Sequence, residues 1–187
     1  VDINKLVSFG NGIVLDSTDY LEYFAADPEI KIIGMYIEGV KDGPRFLSVL
    51  RAATARKPVV IWKGGRTEEG TRAIGSHTGS LAIPLATFDA AVRQCRAVRV
   101  GRMEDMIDTL KALLYLPEVK GNKVAAVGGS GGGSVAVADA FAEAGLSLPR
   151  LSQTSYDEFA TFFTLIGGGY KNPVDTMNAN RREMRRI

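Results

Sequence analysis

One apolar segment indicates the fold class of this chain: Ile30-Lys-Ile-Ile-Gly-Met-Tyr-Ile37. It is rich in isoleucine and carries one charge, a composition typical of a parallel β-strand that is buried on both faces. Glu38 follows directly, so we expect a carboxylate at the end of this strand. A second short apolar segment, Val59 to Trp62, has the same character. Two such strands separated by a helical pattern predict a βαβ unit.

Helical patterns and turn residues alternate with short apolar segments along the rest of the chain. We expect further strands over 6–9, 97–100 and 124–127, and helices over 19–26, 43–53, 84–95, 103–116, 135–144 and 156–165. Ser17 or Thr18 is the expected cap of the first helix, and Lys63 to Gly79 is expected to be a long loop. Alternating strands and helices predict an α/β protein with parallel sheets that carry helices on both faces.

A polar linker divides this pattern into two similar lobes. The linker lies between residues 117 and 122, so we expect one domain over 1–117 and a second over 122–187. The second lobe has too few strands for a complete sheet. The chain starts at Val1 without an initiator methionine, and we therefore expect a piece of a longer protein.

The composition excludes several functional classes. With 45% hydrophobic and 24% charged residues, the 187-residue chain can bury a core and is not disordered. Its net charge is only +2 and arises near the arginine-rich C-terminus, so no nucleic-acid-binding face is expected. Apolar runs fall far short of the ~20 residues that span a bilayer, which excludes a membrane protein. One cysteine and one histidine exclude an internal disulfide and a multi-histidine zinc site, so a cytoplasmic protein is expected.

Ligands of open parallel sheets bind beyond the carboxyl ends of the strands. His77 lies in the segment after the predicted Val59–Trp62 strand, among small residues whose backbone amides can approach an anion closely. A neutral imidazole there can act as a nucleophile or proton acceptor. An ordinary loop histidine explains the same residue type, and the residue pattern leaves both interpretations open.

Two further places follow predicted strands. Glu38 could hold one ring nitrogen of a histidine while the other nitrogen reacts, or it could be a solvated residue that starts a loop. The run Gly128-Gly-Ser-Gly-Gly-Gly-Ser134 stands between a strand and a helix, where it could cradle a phosphate or simply pack the helix on the strand. Cys95 has no second histidine to activate it, so we expect a structural cysteine.

Three motifs resemble those of the NDP-forming acyl-CoA synthetases, relatives of the succinyl-CoA synthetase alpha subunit. They are Tyr36-Ile-Glu-Gly-Val-Lys-Asp-Gly43, Lys57-Pro-Val-Val-Ile-Trp-Lys-Gly-Gly-Arg66 and Ser76-His-Thr-Gly-Ser-Leu-Ala82. The order and spacing of the three match the family, and the likeness continues through 122–148 and Asn172-Pro-Val-Asp175. The resemblance implies two doubly wound, flavodoxin-like lobes of the succinyl-CoA synthetase type, the second incomplete.

The resemblance also implies a phosphoryl relay. An acyl-CoA and phosphate give an acyl phosphate, whose phosphoryl group passes to His77 and then to ADP, and the reverse direction activates a carboxylic acid. Glu38 would orient the His77 ring and stabilise its positive charge. Phosphate-holding residues would be Gly75, Ser76, Thr78 and Gly79 around the histidine, and Gly131, Gly132, Gly133 and Ser134 in the glycine run.

The chain departs from the family pattern at a few positions. Gly129 and Gly133 stand where relatives usually have Asn and Pro, and Ser134 replaces a glycine. Thr176-Met177 follows Asp175 where Leu-Thr is usual. Binding of an anion through backbone amides would survive these changes, whereas contacts made by the Asn side chain would not.

By the same resemblance, the chain needs partners. A CoA-binding domain and an ATP-grasp domain would lie on the full-length chain or on a partner subunit, in an oligomeric assembly. CoA, ADP or ATP, phosphate and a small carboxylic acid would be substrates, with no tightly bound cofactor. Mg²⁺ would belong to the nucleotide domain, so no metal is expected on this chain. Two alternatives are a non-catalytic module of the same fold that senses acyl-CoA or nucleotide, and a nucleotide-binding domain that uses 128–134. The second lacks the acidic residue about 20 positions further on that a ribose would need.

Overall fold

The computed structural model of the chain describes residues 3–77, 84–162, 171–177 and 179–187, and of Ser76 and His77 it describes the backbone alone. The chain divides after Pro117 into two units, residues 1–117 and 118–187. The first unit contains α1 (Ser17–Ala26), β1 (Ile33–Ile37), α2 (Gly43–Thr54), β2 (Val59–Lys63), α3 (Glu68–His77), α4 (Leu85–Gln94), β3 (Val98–Val100) and α5 (Met103–Tyr115). The second contains β4 (Val127–Gly128), α6 (Gly131–Glu143), α7 (Gln153–Ala160), β5 (Val174–Asp175) and a 3₁₀ turn at Glu183–Arg185.

The first unit is built on a parallel sheet with the strand order β1-β2-β3. Helices α1, α2 and α4 cover one face, and their apolar side chains form a single core with β1 and β2. Helix α5 lies on the other face, where Met106 and Leu110 pack over Gly34 of β1 so closely that a Cβ there would lie 2.7 Å from Met106 Cε. The predicted α/β architecture with helices on both faces is confirmed.

The β1 strand is less buried than its composition predicts. Ile33, Met35 and Ile37 are buried among α1, α2 and α4. Tyr36 points to the other face and is 49% exposed. A run of apolar residues predicts burial on both faces, but in the described structure the face of β1 with Ile33, Met35 and Ile37 is more completely covered than the face with Tyr36.

The start of the chain differs from the prediction. Residues 6–9 were expected to form a strand, but they form no regular structure, and Leu6 is 81% exposed. A short apolar segment becomes a strand only where another strand accepts its hydrogen bonds, and local sequence does not reveal that partner.

The cap of α1 is Asp16 rather than Ser17 or Thr18, because Asp16 and Asp19 form a reciprocal capping box.

The segment Lys63 to Gly79 is not one long loop, and that prediction was wrong. Helix α3 occupies Glu68–His77. The Oγ1 atom of Thr67 accepts a hydrogen bond from the Gly70 amide at 3.1 Å and thereby caps the helix. The two glycines within it weaken the helical pattern in sequence, but Ile74 is buried, and its side chain lies against Gly65.

The second unit has shorter strands than expected. Strand β4 covers Val127–Gly128 and pairs in parallel with β5, while Lys123 forms an isolated bridge with Ser147. Helix α6 starts at Gly131, four residues before the predicted start, because Ser130 caps it through a hydrogen bond from the Gly133 amide. Helix α7 starts at Gln153, after the Ser152 cap, rather than at Tyr156.

The side chain of Asn172 joins three segments of the second unit. Its Oδ1 accepts a hydrogen bond from the Ala126 amide at 2.9 Å. Its Nδ2 donates to the carbonyls of Val124 at 2.7 Å and Pro149 at 3.0 Å. These bonds give the Asn172 motif a structural role. Within the described residues, no helix of either unit has the length and apolar character needed to cross a membrane.

We expect Asn172→Ala to lower the stability of the second unit by about 2 kcal/mol, because it removes three hydrogen bonds and leaves partly buried backbone groups unpaired. Hydrogen exchange of the Ala126 amide measures this loss. The matched control is Asn122→Ala, which truncates an exposed side chain. Equal exchange rates in the two variants would contradict the role of Asn172.

Candidate functional site

The carboxyl ends of three strands meet at one edge of the first sheet. The register pairs Ile37 of β1 with Lys63 of β2, and Trp62 with Val100 of β3. Glu38 and Gly64 therefore follow β1 and β2 at the same level, and Gly101 follows β3 one position earlier, beside Lys63. This is the edge at which parallel sheets bind their ligands.

Glu38 is half-buried at this edge and is held by its neighbour on β1. The Tyr36 hydroxyl donates a hydrogen bond to Glu38 Oε1 at 3.1 Å. Burial, and then the hydrogen bond to Glu38, raise the pKa of the Tyr36 hydroxyl above its usual value. Tyr36 therefore stays a neutral donor at physiological pH.

The ring of Tyr36 is fixed by two contacts on β2 and the residue after it. The Tyr36 and Trp62 ring centroids are 4.7 Å apart. Gly64 lies against the hydroxyl, and a Cβ at this position would be 2.6 Å from that oxygen. Glycine is therefore required after β2 for the ring to reach Glu38.

Lys63 holds the backbone of the same edge from the opposite face of the sheet. The side chain is 3% exposed, and its Nζ donates to the carbonyl oxygens of Glu38 and Gly64, each at 2.6 Å. The ammonium lies 6.0 Å from the centroid of the Phe88 ring. Burial, and then the positive charge of Arg99, lower the pKa of Lys63 below its usual value.

Arg66 connects the ends of β2 and β3. Its guanidinium donates a hydrogen bond to the carbonyl of Gly101. A Cβ at Gly101 would lie 3.1 Å from the guanidinium nitrogen, so glycine also leaves room for this contact. The three strand ends are thus tied together by Lys63 and Arg66, two cations from the motif that spans β2.

The backbone places His77 at the end of α3. Gly65, whose φ is 65°, makes the turn out of β2, and Thr71 Oγ1 donates to its carbonyl at 3.2 Å. Gly75 is exposed near the other end of the helix. The side chains of Ser76 and His77, and all of Thr78 and Gly79, lie outside what the structure describes, so the expected contact of Glu38 with His77 remains a prediction.

The glycine run of the second unit lies at the start of α6. Ser130 accepts the Gly133 amide, which leaves the amides of Gly131 and Gly132 as first-turn donors without an intrahelical acceptor. The hydroxyl of Ser134 is buried and has no hydrogen-bond partner among the described residues. A helix start of this kind can bind an anion.

Thr176 and Asp175 support that helix start from β5. The amide and the hydroxyl of Thr176 both donate to the carbonyl of Gly128, at 2.8 and 2.9 Å. The Asp175 carboxylate also approaches, 3.5 Å from where a Cβ of Gly131 would lie. Asp175 and Thr176 thus lie against the glycine run and hold the carbonyl of Gly128.

Sequence reasoning missed Tyr36 and Lys63 as site residues. Lys63 ends an otherwise apolar strand, and a charged residue at such a position is the signal that could have revealed it.

Cys95 is buried in the core, as predicted, and burial raises the pKa of its thiol. Among the described residues, no group of three or more His, Cys, Asp or Glu side chains could hold a metal ion.

The parallel sheet with helices on both faces and polar groups at its carboxyl edge defines an α/β protein of the flavodoxin-like class. The succinyl-CoA ligase-like flavodoxin domain matches residues 1–113. The chain belongs to this family, as its three motifs predicted.

Similar proteins extend the likeness across both units. The chain is 38% identical over 183 residues to the alpha subunit of acetate–CoA ligase [ADP-forming] II from Pyrococcus furiosus, covering 98% of this chain and 40% of the relative. It is 37% identical over 177 residues to acetate–CoA ligase [ADP-forming] I from Archaeoglobus fulgidus, covering 95% and 25%.

Solved structures are also similar over most of the chain. The dinucleotide-forming acetyl-coenzyme A synthetase 1 of Ca. Korarchaeum cryptofilum, in complex with phosphate and ADP, has a TM-score of 0.80 and 34% identity. The match covers 92% of this chain and 37% of that chain. The chain thus spans about two fifths or less of the length of these relatives.

Proposed function

We propose that this chain is the phosphohistidine-bearing part of an ADP-forming acyl-CoA synthetase, an acid-thiol ligase that is inactive without its other domains. The single observation that carries this proposal is the similarity to ADP-forming ligases across both units, at 38% identity over 98% of the chain. Residues 1–117 would be the ligase domain that carries the phosphohistidine, and residues 122–187 part of a second ligase domain.

The proposed reaction has three balanced steps. A phosphate oxygen attacks the thioester carbon of the acyl-CoA, the C–S bond breaks, and CoA leaves as the acyl phosphate forms. A ring nitrogen of His77 then attacks phosphorus, the P–O bond to the acyl group breaks, and the carboxylate leaves. Finally, a terminal oxygen of ADP attacks phosphorus, the N–P bond breaks, and ATP forms while the imidazole is regenerated.

The residues of this chain would hold and orient the groups that react. Glu38 would accept a hydrogen bond from the ring nitrogen of His77 that does not react, which fixes the tautomer and stabilises the cationic phosphohistidine. The amides at the start of α6 would hold a phosphoryl group, since a helix N-terminus attracts anions. Around His77, the phosphoryl group would contact Gly75, Ser76, Thr78 and Gly79. The half-buried carboxylate of Glu38 at the carboxyl edge of the sheet supports this assignment.

The remaining parts of the reaction would belong to partners. A CoA-binding domain and an ATP-grasp domain, on the full-length chain or on another subunit, would bind CoA and ADP. Mg²⁺ would be bound by the nucleotide domain. The acid would be a small carboxylic acid, since two relatives are named for acetate.

The first test is phosphoryl transfer in the full-length protein that contains this chain. Incubation with γ-labelled ATP should give a label that is labile in acid and stable in base, and mass spectrometry should place it on the peptide containing His77. A full-length protein that binds nucleotide but takes no such label would contradict the proposal and favour a sensing module.

We expect Glu38→Gln to slow labelling roughly 10²-fold, because the amide carries no charge to stabilise the imidazolium and holds its tautomer less well. Single-turnover labelling with γ-labelled ATP measures the rate. Glu118→Gln is the matched control, since it neutralises an exposed carboxylate and should leave the rate unchanged. Equal rates in Glu38→Gln and the unmodified protein would remove Glu38 from the relay.

A further inference from the structure

We propose that Tyr36 is a positioning residue for the relay, whose hydroxyl fixes the carboxylate of Glu38 while Lys63 fixes the backbone of the same residue. This inference rests on the proposed function of Glu38. It adds two residues that would act through Glu38 without touching the phosphoryl group.

The side-chain half of this arrangement lies on the α5 face of the sheet. Tyr36 and Glu38 are two positions apart at the end of a strand, so their side chains point to the same side. The hydroxyl donates to Glu38 Oε1 at 3.1 Å. The ring cannot swing away easily, because Trp62 packs on it with centroids 4.7 Å apart and Gly64 lies directly against the hydroxyl.

The backbone half lies on the opposite face. Lys63 reaches the carbonyls of Glu38 and Gly64 with its Nζ, at 2.6 Å each, from a position that is 3% exposed. A charged donor to two carbonyls in such a buried place is a strong restraint. Lys63 therefore holds the backbone of Glu38 at the end of β2, while the Tyr36 hydroxyl holds its carboxylate.

The consequence for the relay is orientation. A carboxylate has two oxygens, and Tyr36 occupies Oε1, which leaves Oε2 to accept a hydrogen bond from an imidazole. Without the hydroxyl, Glu38 would sample other rotamers and would hold the histidine ring for a smaller fraction of the time. Phosphoryl transfer to His77 should slow, because a reaction that depends on the alignment of two groups becomes slower when one of them is no longer held in place.

The test is single-turnover labelling of the full-length protein with γ-labelled ATP. Tyr36→Phe keeps the ring and removes only the hydroxyl, and one hydrogen bond to a charged group predicts a rate about 10-fold lower. Gly64→Ala should give a similar loss, because its Cβ displaces the hydroxyl. Tyr115→Phe is the matched control, since Tyr115 is 65% exposed on α5 and its loss should leave the rate unchanged.

A double-mutant cycle separates positioning from a general structural effect. In a Glu38→Ala background, Tyr36→Phe should change the remaining rate less than about twofold, because the hydroxyl then has no carboxylate to hold. An equal loss with and without Glu38, or a full rate in Tyr36→Phe, would overturn the inference. Absence of label on His77 in the unmodified protein would refute the proposed function itself, and the positioning role with it.

Discussion

In the full-length protein, His77→Ala is expected to reduce the acid-labile phosphoryl label to background, a loss of roughly 10³-fold or more. His77 is the single histidine of these 187 residues, so no other imidazole of this part of the protein can replace it as the nucleophile. The proposed relay also offers no direct route from acyl phosphate to ADP. Overall synthetase activity should therefore fall together with the label.

The chemistry of the label provides the control for this experiment. A phosphoryl group on a ring nitrogen is lost in acid and kept in base, whereas a phosphate ester on serine or threonine survives acid. Binding of nucleotide should be unchanged in His77→Ala, because the nucleotide site is proposed to lie on another domain. A label with the same acid lability that persists in His77→Ala would place the phosphorylated group elsewhere.

Leu50→Ala is expected to lower the free energy of unfolding of the first unit by about 3 kcal/mol. Leu50 lies on α2, is fully buried, and belongs to the core that joins α1, α2 and α4 to β1 and β2. Removal of three carbon atoms loses the transfer free energy of the side chain and leaves a cavity that this packed core can refill only in part.

Urea unfolding measures this change through the fluorescence of Trp62. Trp62 is the single tryptophan of the chain and lies on β2, so its signal reports the first unit alone. The matched control is Leu113→Ala on α5, where the leucine is 39% exposed and should contribute less than about 1 kcal/mol. Similar losses of unfolding free energy in the two variants would show that the core around Leu50 does not dominate the stability of the first unit.

The sequence predicted the strands that carry the site better than the segments between them. Ile33–Ile37 and Val59–Lys63 were recognisable because buried parallel strands are continuous apolar segments. Helix α3 was missed because its glycines weaken the helical pattern and because the burial of Ile74 depends on the folded structure. The strand expected over 6–9 does not form, since strand formation depends on a partner that is remote in sequence.

The candidate site was also predictable only in part. Glu38 could be placed at the carboxyl edge because it follows an apolar strand directly. The role of Asn172 could not be derived, because its partners Val124 and Pro149 are 48 and 23 positions away. Asp16 was overlooked as a cap because the side chains of three neighbouring residues could each serve, and only the folded geometry selects one.

The sequence by itself determined the class of fold, the two central strands and the family motifs, since these follow from local periodicity and from residue identity. Tertiary structure alone decided how Glu38 is held. The parallel register sets Ile37 beside Lys63, and this pairing brings the Lys63 ammonium to a carbonyl 25 positions away. Such a contact depends on the alignment of two strands and the burial of the lysine, and neither is encoded in a local stretch of residues.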